Sequence, residues 1–243
     1  MSRGLALVTG ASSGIGAAYA RRLASDGHDL LLVARRRERL ETLSRELEKA
    51  HPISCRVLCA DLATPVGIDA VERQILDGES LGMLVHSAGF NGPRPFVRHD
   101  PEWIQAMLQV HVVACARFAR AALPGMIAAG RGSLVLISSL GAFFTSSGYV
   151  PYSATKAFVN MLAQGLAVDL AGTGVRVQAV CAGLTRTEML SRPEYDEFNP
   201  FQRIPDRFFM SPEQVVEESL RALERGRIIV IPGLRNRVFV RVL

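Results

Sequence analysis

The chain has 243 residues, 49% of them hydrophobic and 21% charged, with a formal net charge of +5. That balance supports a sizeable core and excludes wholesale disorder; the basic residues are scattered rather than gathered into a stripe, so no nucleic-acid partner is expected. Cys55, Cys59, Cys115 and Cys181 lack metal-ligand or redox spacing, so the expectation is buried reduced thiols in a cytoplasmic protein, with no metal.

In chain order, residues 5–8 form an apolar run that stops at Thr9-Gly10. It is too short for a signal-peptide core and reads as a strand. A helix is expected over 16–25, a strand over 28–34, and a helix over 37–49 with Leu40, Leu43 and Leu47 on one face. Strand 55–60, helix 66–76 and strand 83–87 follow. Residues 102–129 read as mostly helical, in one piece or two. The longest apolar stretch, 112–129, holds Arg117, Arg120 and Pro124, and no membrane span is expected, since one needs about 20 apolar residues. Then come strand 134–138, helix 152–170, strand 175–180, a helix over 211–225 opened by Ser211-Pro212-Glu213, and a last strand over 228–231. Residues 184–210, with Pro193, Pro200 and Pro205, show no regular pattern and read as a substrate lid. Residues 232–243 alternate basic and apolar and receive no element. Seven strands alternating with helices predict one α/β domain over 1–243, a Rossmann-type doubly wound parallel sheet with helices on both faces.

Thr9-Gly10-Ala11-Ser12-Ser13-Gly14-Ile15-Gly16 lies between the first strand and the first helix. Glycines there allow a tight turn and close approach of a pyrophosphate to the backbone, and the helix N-terminus supplies unpaired N–H groups. A dinucleotide is therefore the expected ligand. Where an NAD site places an acid at the end of the second strand, this chain has Ala34 followed by Arg35-Arg36-Arg37. An acid would repel a 2′-phosphate and guanidiniums bind one, so NADP(H) is expected, held by Arg35 first and Arg36 second.

Tyr152-Ser153-Ala154-Thr155-Lys156 places a phenol and an ammonium four residues apart, on one helical face. The chain has only two lysines, Lys49 and Lys156, and arginine cannot replace an amine where its shape or acidity is needed. Lowering a phenol from about 10 to about 7 takes about 4 kcal/mol. A helix N-terminus supplies about 0.3–2 kcal/mol; a nearby ammonium together with an oxidised nicotinamide is expected to supply the rest. Tyr152 would then exchange a proton with the substrate oxygen while hydride moves. Ser139, just past the strand, would stabilise the developing negative charge. Its neighbour Ser138 points the other way if the strand continues.

Taken together these motifs resemble the short-chain dehydrogenase/reductase family over essentially the whole chain. The match includes Thr9-Gly10-x-x-x-Gly14-x-Gly16, Asp61-Leu62, Ala88-Gly89, Ser139, Tyr152-x-x-x-Lys156 and Gly183-x-x-x-Thr187. The resemblance implies adenine contacts near Asp61 and Leu62 and backbone contacts from Ser87, Ala88 and Gly89. It also implies that Lys156 binds the nicotinamide ribose, that Leu184 and Thr187 touch the carboxamide, and that the protein assembles as a homodimer or homotetramer through helices around 111–129 and 152–170. Three departures stand out. His86-Ser87 replaces the usual Asn-Asn before Ala88-Gly89, Ala182 replaces a proline, and His111 stands where the family carries an Asn that holds a relay water. His111 either holds that water or shuttles the proton itself, or it is a tolerated substitution.

The loops that would surround the substrate carry Phe90, Pro93, Pro95, Phe96, Phe143, Phe144, Tyr149, Met189 and Leu190, with Phe198 and Phe201 in the lid. An apolar pocket for a small, lipophilic ketone or secondary alcohol is expected, with Arg94, Arg98, Arg186 and Arg192 as candidates for an acidic group. Two rival readings are a cofactor-binding sensor or scaffold that has lost efficient turnover and, on the same fold, an epimerase or dehydratase.

Overall fold

The computed structural model describes residues 4–191 and 204–242. Its strands are β1 (Leu5–Thr9), β2 (Asp29–Ala34), β3 (Cys55–Cys59), β4 (Leu81–His86), β5 (Gly132–Ser139), β6 (Val175–Ala182) and β7 (Ile229–Val230). All pair in parallel in the order β3-β2-β1-β4-β5-β6-β7. The helices are α1 (Gly14–Ser25), α2 (Arg37–Ala50), α3 (Pro65–Leu76), α4 (Pro101–Leu108), α5 (Ala114–Ala128), α6 (Val150–Asp169), α7 (Pro212–Glu224) and α8 (Leu234–Val242). This is the Rossmann-type sheet the alternating pattern predicts.

β1 shows why the inner strands are apolar throughout. Side chains alternate across a strand, so Leu5 and Leu7 join one core with Ile68, Phe118 and Val159, while Ala6 and Val8 join the other with Tyr19, Leu40 and Val216. With α3, α5 and α6 on one face and α1, α2 and α7 on the other, neither face meets water. β1 leads outward to β2 and β3, and β4 leads outward the other way. The crevice beyond the carboxyl ends of β1 and β4 is therefore the ligand position of such a sheet. Local signals set the ends of the helices. Thr64 caps α3 through the Gly67 N–H at 3.1 Å, with Pro65 in the first turn. Ser211 and Gln214 form a capping box on α7.

Four readings gain detail or need correction. The stretch 101–128 is one helical run, with a π-helical turn over Gln109–Val113 joining α4 to α5. By length and composition that run is apolar enough to cross a bilayer, but half of its apolar window is buried in the fold, and Arg117 pairs with Asp69 (2.8 Å) and Glu72 of α3. The tail forms α8, whose start is set by Gly233 at φ +85° and by Asn236 Nδ2 donating to the Pro232 carbonyl at 2.7 Å. Cys115 and Cys181 are buried free thiols, but Cys59 is exposed because β3 is the sheet edge. Finally, residues 184–210 carry short 3-10 turns at Glu188–Ser191 and Asp206–Phe208. The two ends of that span are stitched together by Met210 N–H to the Leu184 carbonyl (2.9 Å) and Arg186 N–H to the Met210 carbonyl (3.0 Å). Pro193, Phe198, Pro200, Phe201 and Arg192 lie outside the described residues.

Candidate active site

A cavity of about 970 Å³ opens at the carboxyl ends of the strands. Of the site residues the sequence points to, Gly10, Ser12, Ser13, Gly14, Ile15, Arg35, Arg36, Asp61, Leu62, Ser87, Ala88, Gly89, Ser139, Tyr152, Lys156, Leu184 and Thr187 line its wall. Gly16 and His111 stand behind it.

The cofactor end is built on close backbone approach. Gly10 has φ +68°, and a Cβ there would lie 2.8 Å from the Ala88 nitrogen; a Cβ on Gly16 would lie 2.3 Å from the Gly10 oxygen. The Thr9 hydroxyl ties the ends of β1 and β4 together by accepting from the Ser87 and Ala88 N–H groups at 3.1 and 3.0 Å. Ser13 stands at the α1 N-cap without a side-chain cap bond, and the first turn holds no acid. The free N–H groups and positive helix end thus face the cavity, which fits a pyrophosphate. Arg36 donates to the hydroxyls of Ser12 (3.0 Å) and Ser13 (2.9 Å) and pairs with Glu188 at 2.7 Å. The guanidiniums of Arg39 and Arg36 hold the Glu188 carboxyl down at about 2. Arg35 is less engaged, with its nearest carboxylate, Asp61, at 3.9 Å. Arg37 pairs with Glu41 along the surface of α2.

The chemical end sits where α6 starts beside β5. Tyr152 lies in the first turn of α6 and Lys156 one turn on, its Nζ 5.5 Å from the Tyr152 ring centroid. Lys156 is 6% exposed, and its Nζ donates to the Ile137 carbonyl at 2.9 Å. Burial brings its ammonium down to about 8. Burial also pushes the Tyr152 phenol above its ordinary value, against a hydrogen bond with Ser139 that lowers it. Desolvation of the phenolate is thus the larger of these two influences on Tyr152. Strand alternation separates the two serines. Ser138 donates to the Lys156 carbonyl at 3.0 Å, whereas Ser139 faces Tyr152 and accepts from the Gly141 N–H at 3.1 Å.

A family profile described as short chain dehydrogenase matches residues 4–197. The chain belongs to that family. Among solved structures, a short-chain dehydrogenase from Sphingobium yanoikuyae in complex with NADPH is 36% identical at a TM-score of 0.89, over 98% of this chain and 91% of that one. The bulky-bulky ketone specific alcohol dehydrogenase from Comamonas testosteroni is 32% identical at a TM-score of 0.85, over 98% and 90%. Among curated relatives, a very-long-chain 3-oxoacyl-CoA reductase from Anas platyrhynchos is 31% identical over 80% of this chain. The chain spans 64% of that relative's length, and 63% of its counterpart from Danio rerio. An uncharacterized oxidoreductase from Myxococcus xanthus is 34% identical over 93% of this chain and 86% of its own.

In this short-chain dehydrogenase the two departing histidines form one bonded arrangement around the π-helical turn. His111 Nε2 accepts from the Phe90 N–H at 3.1 Å, and its Nδ1–H donates to Thr155 Oγ1 at 2.9 Å. Thr155 in turn donates to the Tyr152 carbonyl at 2.7 Å. His86 Nε2–H donates to the Val110 carbonyl at 3.0 Å, and Nδ1 accepts from the Thr9 hydroxyl at 3.1 Å. These partners require each ring to be neutral, each as one defined tautomer. Burial, then the nearby Lys156 charge, holds His111 well below its ordinary value; burial above all brings His86 down to about 4. Both ring nitrogens of His111 are thus engaged by partners within the fold. The ring fastens the loop after β4 to α6, and a Cβ on Gly89 would lie 2.9 Å from its Nε2.

On the substrate side, Phe90, Phe144, Tyr149, Met189 and Leu190 line the cavity as expected, whereas Pro93, Pro95, Phe96 and Phe143 do not. Sequence reasoning missed Phe208 and, from α8, Arg235, Asn236 and Phe239, whose ring meets Phe144 edge-on at 5.3 Å. The only signal in the tail is its alternation of arginine with apolar residues, which shows no helical period. Two of the candidate acid-binding arginines already have partners: Arg94 has Asp100 at 3.7 Å and the Arg98 carbonyl at 3.4 Å, and Arg186 has Asp206 at 3.1 Å.

Proposed function

We propose that the chain is an NADP(H)-dependent oxidoreductase that transfers a hydride between the nicotinamide and a lipophilic ketone or secondary alcohol. The observation that carries this reading is the grouping of Ser139, Tyr152 and Lys156 on the wall of one largely apolar cavity that also reaches the uncapped α1 N-terminus, Arg35 and Arg36. When bound, the cofactor supplies or accepts the hydride. Tyr152 donates a proton to the carbonyl oxygen, and its raised value keeps that proton in place at neutral pH. Ser139, one hydrogen bond away, stabilises negative charge on the same oxygen. Lys156, with a value of about 8, is protonated at neutral pH and held beside Tyr152 by the Ile137 carbonyl, so it favours the phenolate left after proton transfer.

The choice of NADP(H) rests on Arg35 and Arg36 and on the lack of an acid after Ala34. Arg35→Ala is expected to raise the Kd for NADPH about 10- to 100-fold, as loss of a charge-assisted hydrogen bond does, and to change that for NADH little. Equal losses would sink the assignment. Exposed Ile127 of α5 and Met161 and Val168 of α6 accord with a homodimer or homotetramer built on those helices, and the free thiols with a cytoplasmic setting. Stoichiometric NADPH oxidation with a panel of hydrophobic ketones tests the function. NADPH binding with no turnover of any of them would leave only a cofactor-binding protein.

A further inference from the structure

The mouth of the cavity carries charge that hydride transfer does not use. α8 reads LRNRVFVRV, with three arginines and no acid. Arg235 and Phe208 line the cavity, with Arg207 next to Phe208 in the chain but outside that lining, and Arg235 Nη1 donates to the Arg207 carbonyl at 2.8 Å. The guanidinium carbons of Arg207 and Arg235 lie 5.3 and 5.4 Å from the centroid of the same ring, Phe208. The carboxylates of this corner are already held. Asp206 pairs with Arg186 at 3.1 Å; Glu218 accepts from the Gly233 N–H at 3.0 Å and faces Arg237 at 3.8 Å. Among the described residues neither Arg207 nor Arg235 forms an ion pair.

Two guanidiniums near one aromatic ring, with no carboxylate partner among the described residues, repel each other, and an anion bound by both offsets that repulsion. Guanidinium stacks on aromatic faces with its forked donors free, and those donors match carboxylate and phosphate oxygens. We infer that Arg207 and Arg235, aligned by Phe208, form an anion clasp at the cavity mouth, and that the substrate is a lipophilic ketone or alcohol bearing a carboxylate or phosphate at the end remote from the reacting carbon. This rests on the reading of the cavity as the substrate site. The apolar wall takes the body of such a molecule, Tyr152 its carbonyl, and the clasp its acidic end.

The test is calorimetric binding of three matched aryl alkyl ketones, one ending in a carboxylate, one in its methyl ester and one in a phosphate monoester, with NADPH oxidation followed in parallel. The wild-type protein is expected to bind the carboxylate or the phosphate at least about 10-fold more tightly than the ester at low salt, as charge-assisted hydrogen bonds provide. That ratio should shrink in high salt and fall toward 1 in R207A/R235A. Whichever acid binds more tightly identifies the source of the charge. R207E/R235E, which keeps long side chains over Phe208, should reverse the preference toward a ketone ending in an ammonium. A wild-type ratio near 1, or a ratio that survives in R207A/R235A, overturns the clasp. An acid preference lost in the variants but without NADPH oxidation by any of the ketones would uphold the clasp and overturn the proposed reduction alone.

Discussion

Tyr152→Phe is expected to lower kcat for ketone reduction by about 10²- to 10⁴-fold, the range that a positioned general acid contributes. The substitution removes one oxygen and little else. The ring keeps its edge contact with His111 at 5.8 Å and its place 5.5 Å from Lys156 Nζ, and the backbone carbonyl that Thr155 bonds is untouched. The glycine loop, Arg35 and Arg36 are also untouched, so NADPH binding should persist in a fluorescence titration while turnover collapses. The pH profile adds a second reading. Lys156 loses its proton as pH rises through about 8, and the wild-type rate of reduction should fall across that window. A Tyr152→Phe variant that kept more than a tenth of the wild-type kcat would remove Tyr152 from the chemistry.

Acidification should destabilise the protein before its carboxylates titrate. His86 is neutral in the fold, with a value of about 4, whereas an unfolded histidine titrates near 6.5. The unfolded chain therefore binds more protons between those values, and stability is full above about 6.5 and is lost as pH falls toward 4. By pH 4.5 the loss from His86 alone is about 2 to 3 kcal/mol, and His111 acts in the same direction. Glu188 and Glu217 have lowered values, so their contributions are lost only below the ordinary carboxylate range. His99, also lowered mainly by burial, is far less buried and adds less. His86 and His111 thus both weaken the fold across the window from pH 6.5 to 4.5. His86→Asn/His111→Asn, which installs the family's usual residue at both positions, should flatten the melting temperature across that window. A double variant with the wild-type slope would show that these rings are not neutral in the fold.

The bonding of these rings also bears on catalysis. The family's relay position is filled by a ring whose two nitrogens are bonded to Phe90 and Thr155, so His111 positions the loop after β4 against α6. Kinetically, His111→Ala should disturb NADPH affinity and kcat together without shifting the pH at which the rate falls, whereas removal of a relay group would shift it.

Much of this was legible in the chain because it depends on neighbours in sequence. The glycine spacing after β1, the four-residue interval from Tyr152 to Lys156, the alternation that sets Ser139 apart from Ser138, and the Ala34-Arg35-Arg36 step all follow from turn, helix and strand geometry over a few residues. The parallel sheet was legible because strands covered on both faces must be apolar throughout, as β1 is. Tertiary structure alone decided which polar groups are already committed. In sequence Arg186 and Arg94 look no different from Arg207 and Arg235, which have no carboxylate partner among the described residues; Asp206 and Asp100 are placed beside the first two only by folding, as Phe90 and Thr155, from two other elements, are placed beside the nitrogens of His111. Hydrogen bonds and ion pairs reach about 3–4 Å, and folding brings such partners together across tens of residues of chain. Periodicity shows which way a side chain points; what it meets there depends on packing.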